Sequence, residues 1–149
     1  MNYLDTSVVI ILLDRKDYRF SNVNNIINEG DCVMSDLGLV ELTSYLSRNN
    51  IENPPAYAIH LVRKYKINLL SKIDNTFIPG FGNVNTVLST SLNLSDKLKL
   101  KTLDLIHVSN CIELKINDYN IVNLYTADKE FIKAKKTLSE YKIDLKIID

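Results

Sequence analysis

The sequence predicts an α/β fold built on a mostly parallel sheet. Short apolar runs at Asn2–Leu4, Cys32–Met34, residues 121–125 and residues 145–148 have strand character, and longer segments of helical periodicity separate them. Strands that alternate with helices are joined by crossovers, which make neighbouring strands parallel. With 149 residues, 46% of them hydrophobic, the chain is read as one globular unit over 1–149, with enough apolar side chains for a core between sheet and helices.

Taken in order, Asn2–Leu4 is a strand and 6–13 a buried helix, with Asp5 or Thr6 able to cap its free N–H groups. Residues 20–28 carry apolar side chains at 20, 23, 26 and 27, a helical period that Gly30 stops. Cys32–Met34 is the second strand. Ser35 and Asp36 open a helix that places Glu41 about one and a half turns in and ends at Asn49-Asn50. Pro54-Pro55 suits the first turn of a helix running to about Leu70, and a short strand is expected near 71–73. Pro79-Gly80-Phe81-Gly82 reads as an exposed loop before helical character resumes over 83–93. Lys101-Thr102-Leu103-Asp104 leads a strongly apolar helix ending near Asn117. Residues 121–125 are the strongest strand, 128–137 a helix, and 145–148 the last strand.

Composition removes several classes of function. The longest apolar stretch, 8–13, is far too short to span a membrane. The N-terminus lacks the basic, apolar and small-residue regions of a secretory signal, so cytoplasmic residence is expected. Cys32 and Cys111 sit in apolar segments without CxxC spacing and read as buried free thiols. A formal charge of zero argues against binding nucleic acid through a broad basic field, although Lys97, Lys99 and Lys101 form one local run and Lys129, Lys133, Lys135 and Lys136 another.

In an open α/β sheet, functional groups collect at the carboxyl ends of the strands. Asp5 directly follows the first strand, Asp128 follows the fourth by three residues, and Glu41 and Asp104 occupy early turns of helices. All four can converge on one crevice. Carboxylates on ordered apolar segments are costly unless a positive charge neutralises them. A set of hard oxygen ligands without cysteine or clustered histidine suits Mg²⁺ or Mn²⁺. Such ions can polarise a phosphodiester, activate water and steady the leaving oxygen, which is nuclease chemistry.

Four segments resemble the PIN-domain family, in particular its short VapC-like toxins. Tyr3-Leu4-Asp5-Thr6-Ser7 is similar to the opening D-[TS]-[SN] strand motif, and the segment from Met34 through Glu41 to Leu42 to the strand-to-helix stretch with the second acid. Leu103-Asp104-Leu105-Ile106-His107 resembles the L-D-x-[IL]-H helix, and Thr126-Ala127-Asp128-Lys129-Glu130-Phe131 the T-x-D-x-x-F ending. Order and spacing agree along essentially the whole chain, while 74–86 matches none of these segments. The resemblance implies a PIN-like three-layer α/β/α sandwich with a mostly parallel central sheet. It further implies a Mg²⁺- or Mn²⁺-dependent ribonuclease, the toxin of a type II toxin–antitoxin pair, with Asp5, Glu41, Asp104 and Asp128 as catalytic metal-site acids. Thr6, Ser35 and Thr126 would support those acids by hydrogen bonds. The expected partners are RNA, an antitoxin protein whose tail fills the acidic groove, and a second copy of the chain in a homodimer.

Plainer roles stand beside these. Asp5, Asp104 and Asp128 can each cap a helix or favour its dipole, and Glu41 can be a solvated helix residue. Thr6, Ser35 and Thr126 can serve turns and caps. His107 reads as a satisfied core residue rather than a general base. Lys97, Lys99 and Lys101 can be a solvated segment or meet RNA phosphates. A phosphatase of the haloacid dehalogenase type would need an acid where this chain has Ser7, and a dinucleotide-binding enzyme would need a GxGxxG turn, which the glycines do not form. The remaining rival is a catalytically inactive PIN fold that binds RNA or acts as a scaffold.

Overall fold

A computed structural model describes residues 1–70 and 74–149. The expected strand at 71–73 lies outside the described residues. Five strands form one sheet in the order β3-β2-β1-β6-β7: β1 (Asn2–Leu4), β2 (Cys32–Met34), β3 (Asn68–Leu69), β6 (Asn123–Thr126) and β7 (Asp144–Ile147). Every pairing in it is parallel, with Tyr3 opposite Val33 on one side and Leu124 on the other.

Alternation along the strands sorts the core into two layers. Tyr3, Val33 and Leu124 face one side, where they pack with Val108, Ile112, Phe131 and Leu138. Leu4, Cys32 and Met34 face the other, against Val8, Val23, Leu42 and Val62. Each fully buried large apolar side chain among them contributes about 1.5–3 kcal/mol. The first layer holds α5 (Thr86–Leu98), α6 (Thr102–Ile116) and α7 (Lys135–Glu140); the second holds α1 (Thr6–Ile11), α2 (Phe20–Glu29), α3 (Asp36–Arg48) and α4 (Pro54–Lys64). This is the expected α/β/α sandwich. No helix among the described residues is long and apolar enough to cross a membrane.

Three local expectations are corrected. Helix α4 ends at Lys64 rather than near Leu70, because Lys66 turns left-handed at φ 53°. The Ile67 N–H then donates to the Val62 carbonyl and the Lys66 N–H to that of Arg63, the paired bonds of a Schellman stop, with Ile67 buried behind it. Second, the helix expected over 83–93 does not begin at 83, and the loop expected at 79–82 lies within a hairpin. This antiparallel hairpin joins β4 (Asn75–Ile78) and β5 (Gly82–Asn85), turned through Gly80 and Gly82 at φ of 86° and 88°. Asn85 caps α5, its Oδ1 accepting from the Val87 N–H at 2.9 Å, so that helix starts at Thr86. Third, the expected helix 128–137 opens as a 3₁₀ segment, Lys129–Ala134, and becomes α-helical only in α7. Buried Phe131 and Ala134 stand three apart, a spacing that a 3₁₀ turn aligns on one face.

Candidate metal centre

Because β1 and β6 are adjacent and parallel, their carboxyl ends bring Asp5 and Thr126 together. The Asp5 N–H donates to the Tyr125 carbonyl at 3.0 Å, which extends the pairing one residue beyond β1. Asp5 occupies the N-cap position of α1, yet its side chain caps nothing. Its Oδ2 instead accepts from Ser7 Oγ at 2.5 Å and from Thr126 Oγ1 at 2.8 Å, so a carboxylate only 5% exposed is held by two hydroxyls. The plain capping role is absent.

Glu41 reaches the same place from α3. Its Oε2 accepts from Thr6 Oγ1 at 2.6 Å and lies 2.5 Å from Nε2 of His107 on α6. That close approach depends on Gly38, where an added Cβ would stand 2.7 Å from Met34 Cε and 3.3 Å from Thr6 Oγ1. Asp104 lies in the first turn of α6, whose N-cap is Lys101. Its Oδ2 is buried and has no hydrogen-bond partner among the described residues. Asp128 begins the 3₁₀ segment, and its Oδ1 accepts from the Glu130 N–H at 2.8 Å, so its capping role is realised.

Asp5, Thr6, Ser7, Glu41, Asp104 and Asp128 line one cleft of about 200 Å³, with Tyr45 and Arg48 of α3 on its wall. Thr126 joins it through Asp5. Ser35 does not: it is buried at the start of α3, where its Oγ accepts from the Gly38 N–H at 3.2 Å. The lysine run divides. Lys97 pairs with Glu140 at 3.2 Å on the surface, Lys99 ends α5 in a left-handed turn, and only Lys101 exerts a noted charge effect on Asp104.

The titration behaviour follows from these contacts. Burial pushes Glu41 up, but the hydrogen bonds from His107 and Thr6 outweigh it and hold the carboxyl below its ordinary range. Burial, and then the charges of Asp5 and Asp128, raise Asp104 above its ordinary value against the pull of Lys101 and His107. Burial disfavours a charged His107, yet the bond to Glu41 and the charges of Asp5, Glu41 and Asp104 raise its pKa.

One oxygen from Asp5, one from Glu41 and a ring nitrogen of His107 lie within 4.8 Å of one another. A cluster of hard oxygen donors with an unpartnered buried oxygen beside it fits a divalent cation. His107 is buried and satisfied, as its apolar helix suggests. Its partner was hidden from the sequence, because helical spacing relates it to Asp104 on α6 and says nothing of Glu41 on α3. Ser7 was passed over too, although a hydroxyl two residues after an acid is a familiar local donor.

A sequence profile of the PIN domain matches residues 3–137. A chain in the crystal structure of VapBC2 from Rickettsia felis bound to a DNA fragment from their promoter superposes with a TM-score of 0.62 and 17% identity, covering 100% of both chains. At that identity the likeness is one of fold. No curated protein matches the chain.

Proposed function

Because the chain belongs to the PIN domain family, we propose that it is a metal-dependent endoribonuclease that hydrolyses RNA phosphodiester bonds, as the toxin of a type II toxin–antitoxin pair. The observation that carries this reading is the buried Asp104 oxygen, unpartnered among the described residues, in a cleft shared with Asp5, Glu41 and Asp128. Four acids gathered there would repel one another unless a cation completed the site. Asp5, Glu41 and Asp104 would hold Mg²⁺ or Mn²⁺ directly. Asp128, already engaged by the Glu130 N–H, would act beside them. When bound, such an ion supplies the positive charge that polarises the phosphodiester and steadies the leaving oxygen.

The chain's own residues prepare the cleft. Ser7 and Thr126 both hold Oδ2 of Asp5, and Thr6 and His107 both hold Oε2 of Glu41, so in each acid the orientation of the other oxygen is set. Lys101, next to Asp104, is placed to meet an RNA phosphate, with Lys99 and Lys97 farther out along the same run. We assign the whole of 1–149 to one nuclease unit acting in the cytoplasm as a homodimer. An antitoxin partner is supported by the fold shared with a VapBC2 chain.

Cleavage of single-stranded RNA with Mg²⁺, with Mn²⁺ and with chelator tests the reading, with single-stranded DNA in parallel. Cleavage that needs the metal and spares DNA supports it. RNA binding without cleavage under every metal condition would instead identify an inactive binding module.

A further inference from the structure

We propose that His107 is a positioning residue that holds its proton on Nε2 for Glu41, and is therefore not a metal ligand. The contacts around its ring run in one direction. Asn110 Nδ2 donates to the buried Tyr3 hydroxyl at 3.2 Å. The hydroxyl's own proton needs an acceptor, and Nδ1 of His107 lies 3.0 Å away, while the Glu41 carboxylate, which when ionised can only accept, lies against the other ring nitrogen. Nδ1 is then the acceptor, and the proton of a neutral ring stands on Nε2, 2.5 Å from Glu41 Oε2.

A nitrogen that carries a proton has no lone pair for a cation. The proximity of Nε2 to Asp5 and Glu41 thus reflects donation to the acids rather than a third ligand. Buried from Asn110 through Tyr3 to His107, the chain of bonds fixes the rotamer and tautomer of the ring, and with them the direction in which Glu41 presents its remaining oxygen. The inference rests on the proposed metal site only in its second half, since the tautomer belongs to the metal-free protein.

Nitrogen-15 NMR of the two histidine rings in metal-free protein at mildly alkaline pH reads the tautomer directly, and His60→Gln assigns the His107 signals. The expected pattern is a protonated Nε2 and an unprotonated Nδ1, unchanged when Mg²⁺ is added. A proton on Nδ1, or a coordination shift at Nε2 with Mg²⁺, overturns the proposal. Tyr3→Phe removes the donor to Nδ1 and should move part of the population to the Nδ1–H form; an unchanged tautomer overturns the Tyr3 link. By calorimetry, His107→Ala should weaken Mn²⁺ binding about 10- to 100-fold. His107→Gln, which keeps an N–H near the Nε2 position, should recover most of that loss, and unaltered affinity in His107→Ala overturns positioning. A wild-type protein that binds no metal and cuts no RNA would refute the proposed reaction while the tautomer result still stood.

Discussion

Asp104→Asn should raise the melting temperature of the metal-free protein while abolishing the proposed cleavage of RNA. The Asp104 carboxyl is raised above its ordinary value by burial and by the charges of Asp5 and Asp128. The folded state therefore binds more protons than the unfolded one. The group's contribution to stability is fully present below its unfolded pKa and is lost as pH rises through the folded value, so at neutral pH the cost is in place. Asparagine keeps the shape and removes the charge. No donor among the described residues is aimed at the buried Oδ2, so no hydrogen bond is lost there. Relief from the two neighbouring acids, discounted for the partial exposure of Asp104, amounts to about 1–2 kcal/mol. Loss of an acid from the first turn of α6 opposes it by about 0.3–1 kcal/mol. The net gain of roughly 1 kcal/mol is about 2–4 °C in a chain of this size. Mn²⁺ at about 100 times its dissociation constant adds about 2.7 kcal/mol to the wild type by mass action and less to the variant. Calorimetric melts of both proteins, in chelator and in Mn²⁺, measure all four quantities. A dipole role alone predicts that the variant melts lower in chelator. That sign, together with equal metal shifts, would remove Asp104 from the cluster.

Other perturbations test separate parts of the cleft. Asp5→Asn and Glu41→Gln should each abolish metal-dependent cleavage, since an amide keeps the shape but not the charge; wild-type rates in either would exclude that residue. Thr126→Val leaves Asp5 one hydroxyl short, and should weaken Mn²⁺ binding about tenfold and cost roughly 1–3 kcal/mol in denaturant melts. Lys99→Ala with Lys101→Ala should flatten the salt dependence of single-stranded RNA binding by about 1.4 in log–log slope, whereas an unchanged slope would assign both to solvation. Gly38→Ala gains about 1 kcal/mol of helix propensity but presses on Met34 and Thr6. Stability should therefore change little while cleavage falls, and full activity would show that the close approach is unimportant.

How far the sequence could be read depended on whether the deciding interaction was local. Tyr3 and Leu4 announce β1 because they alternate between two cores, and Asp5 follows at a strand end where acids collect. The end of α4 was illegible because Lys66, not a glycine, takes the left-handed position, and its paired bonds depend on how Ile67 buries. The β4–β5 hairpin escaped for another reason. Its strands read Asn75-Thr76-Phe77-Ile78 and Gly82-Asn83-Val84-Asn85 and bury no residue fully, so no apolar alternation marks them. The four acids were legible as an ordered set of motifs, and the structure brings all four to one cleft. The support from Thr6 and Thr126 was expected of the motifs, but the bond from His107 to Glu41, which spans 66 residues, was not.

The place of β6 in the sheet has a consequence for the order in which the protein is made. This strand lies between β1 and β7, and carries the hydroxyl that holds Asp5 and the turn that presents Asp128. A polypeptide growing from its N-terminus has Asp5 and Glu41 long before it has these groups and Asp104 shortly before, and α6 waits for β6 and α7 to close its core. Until β6 has been made, Asp5 lacks the Thr126 hydroxyl and the cleft lacks its fourth acid.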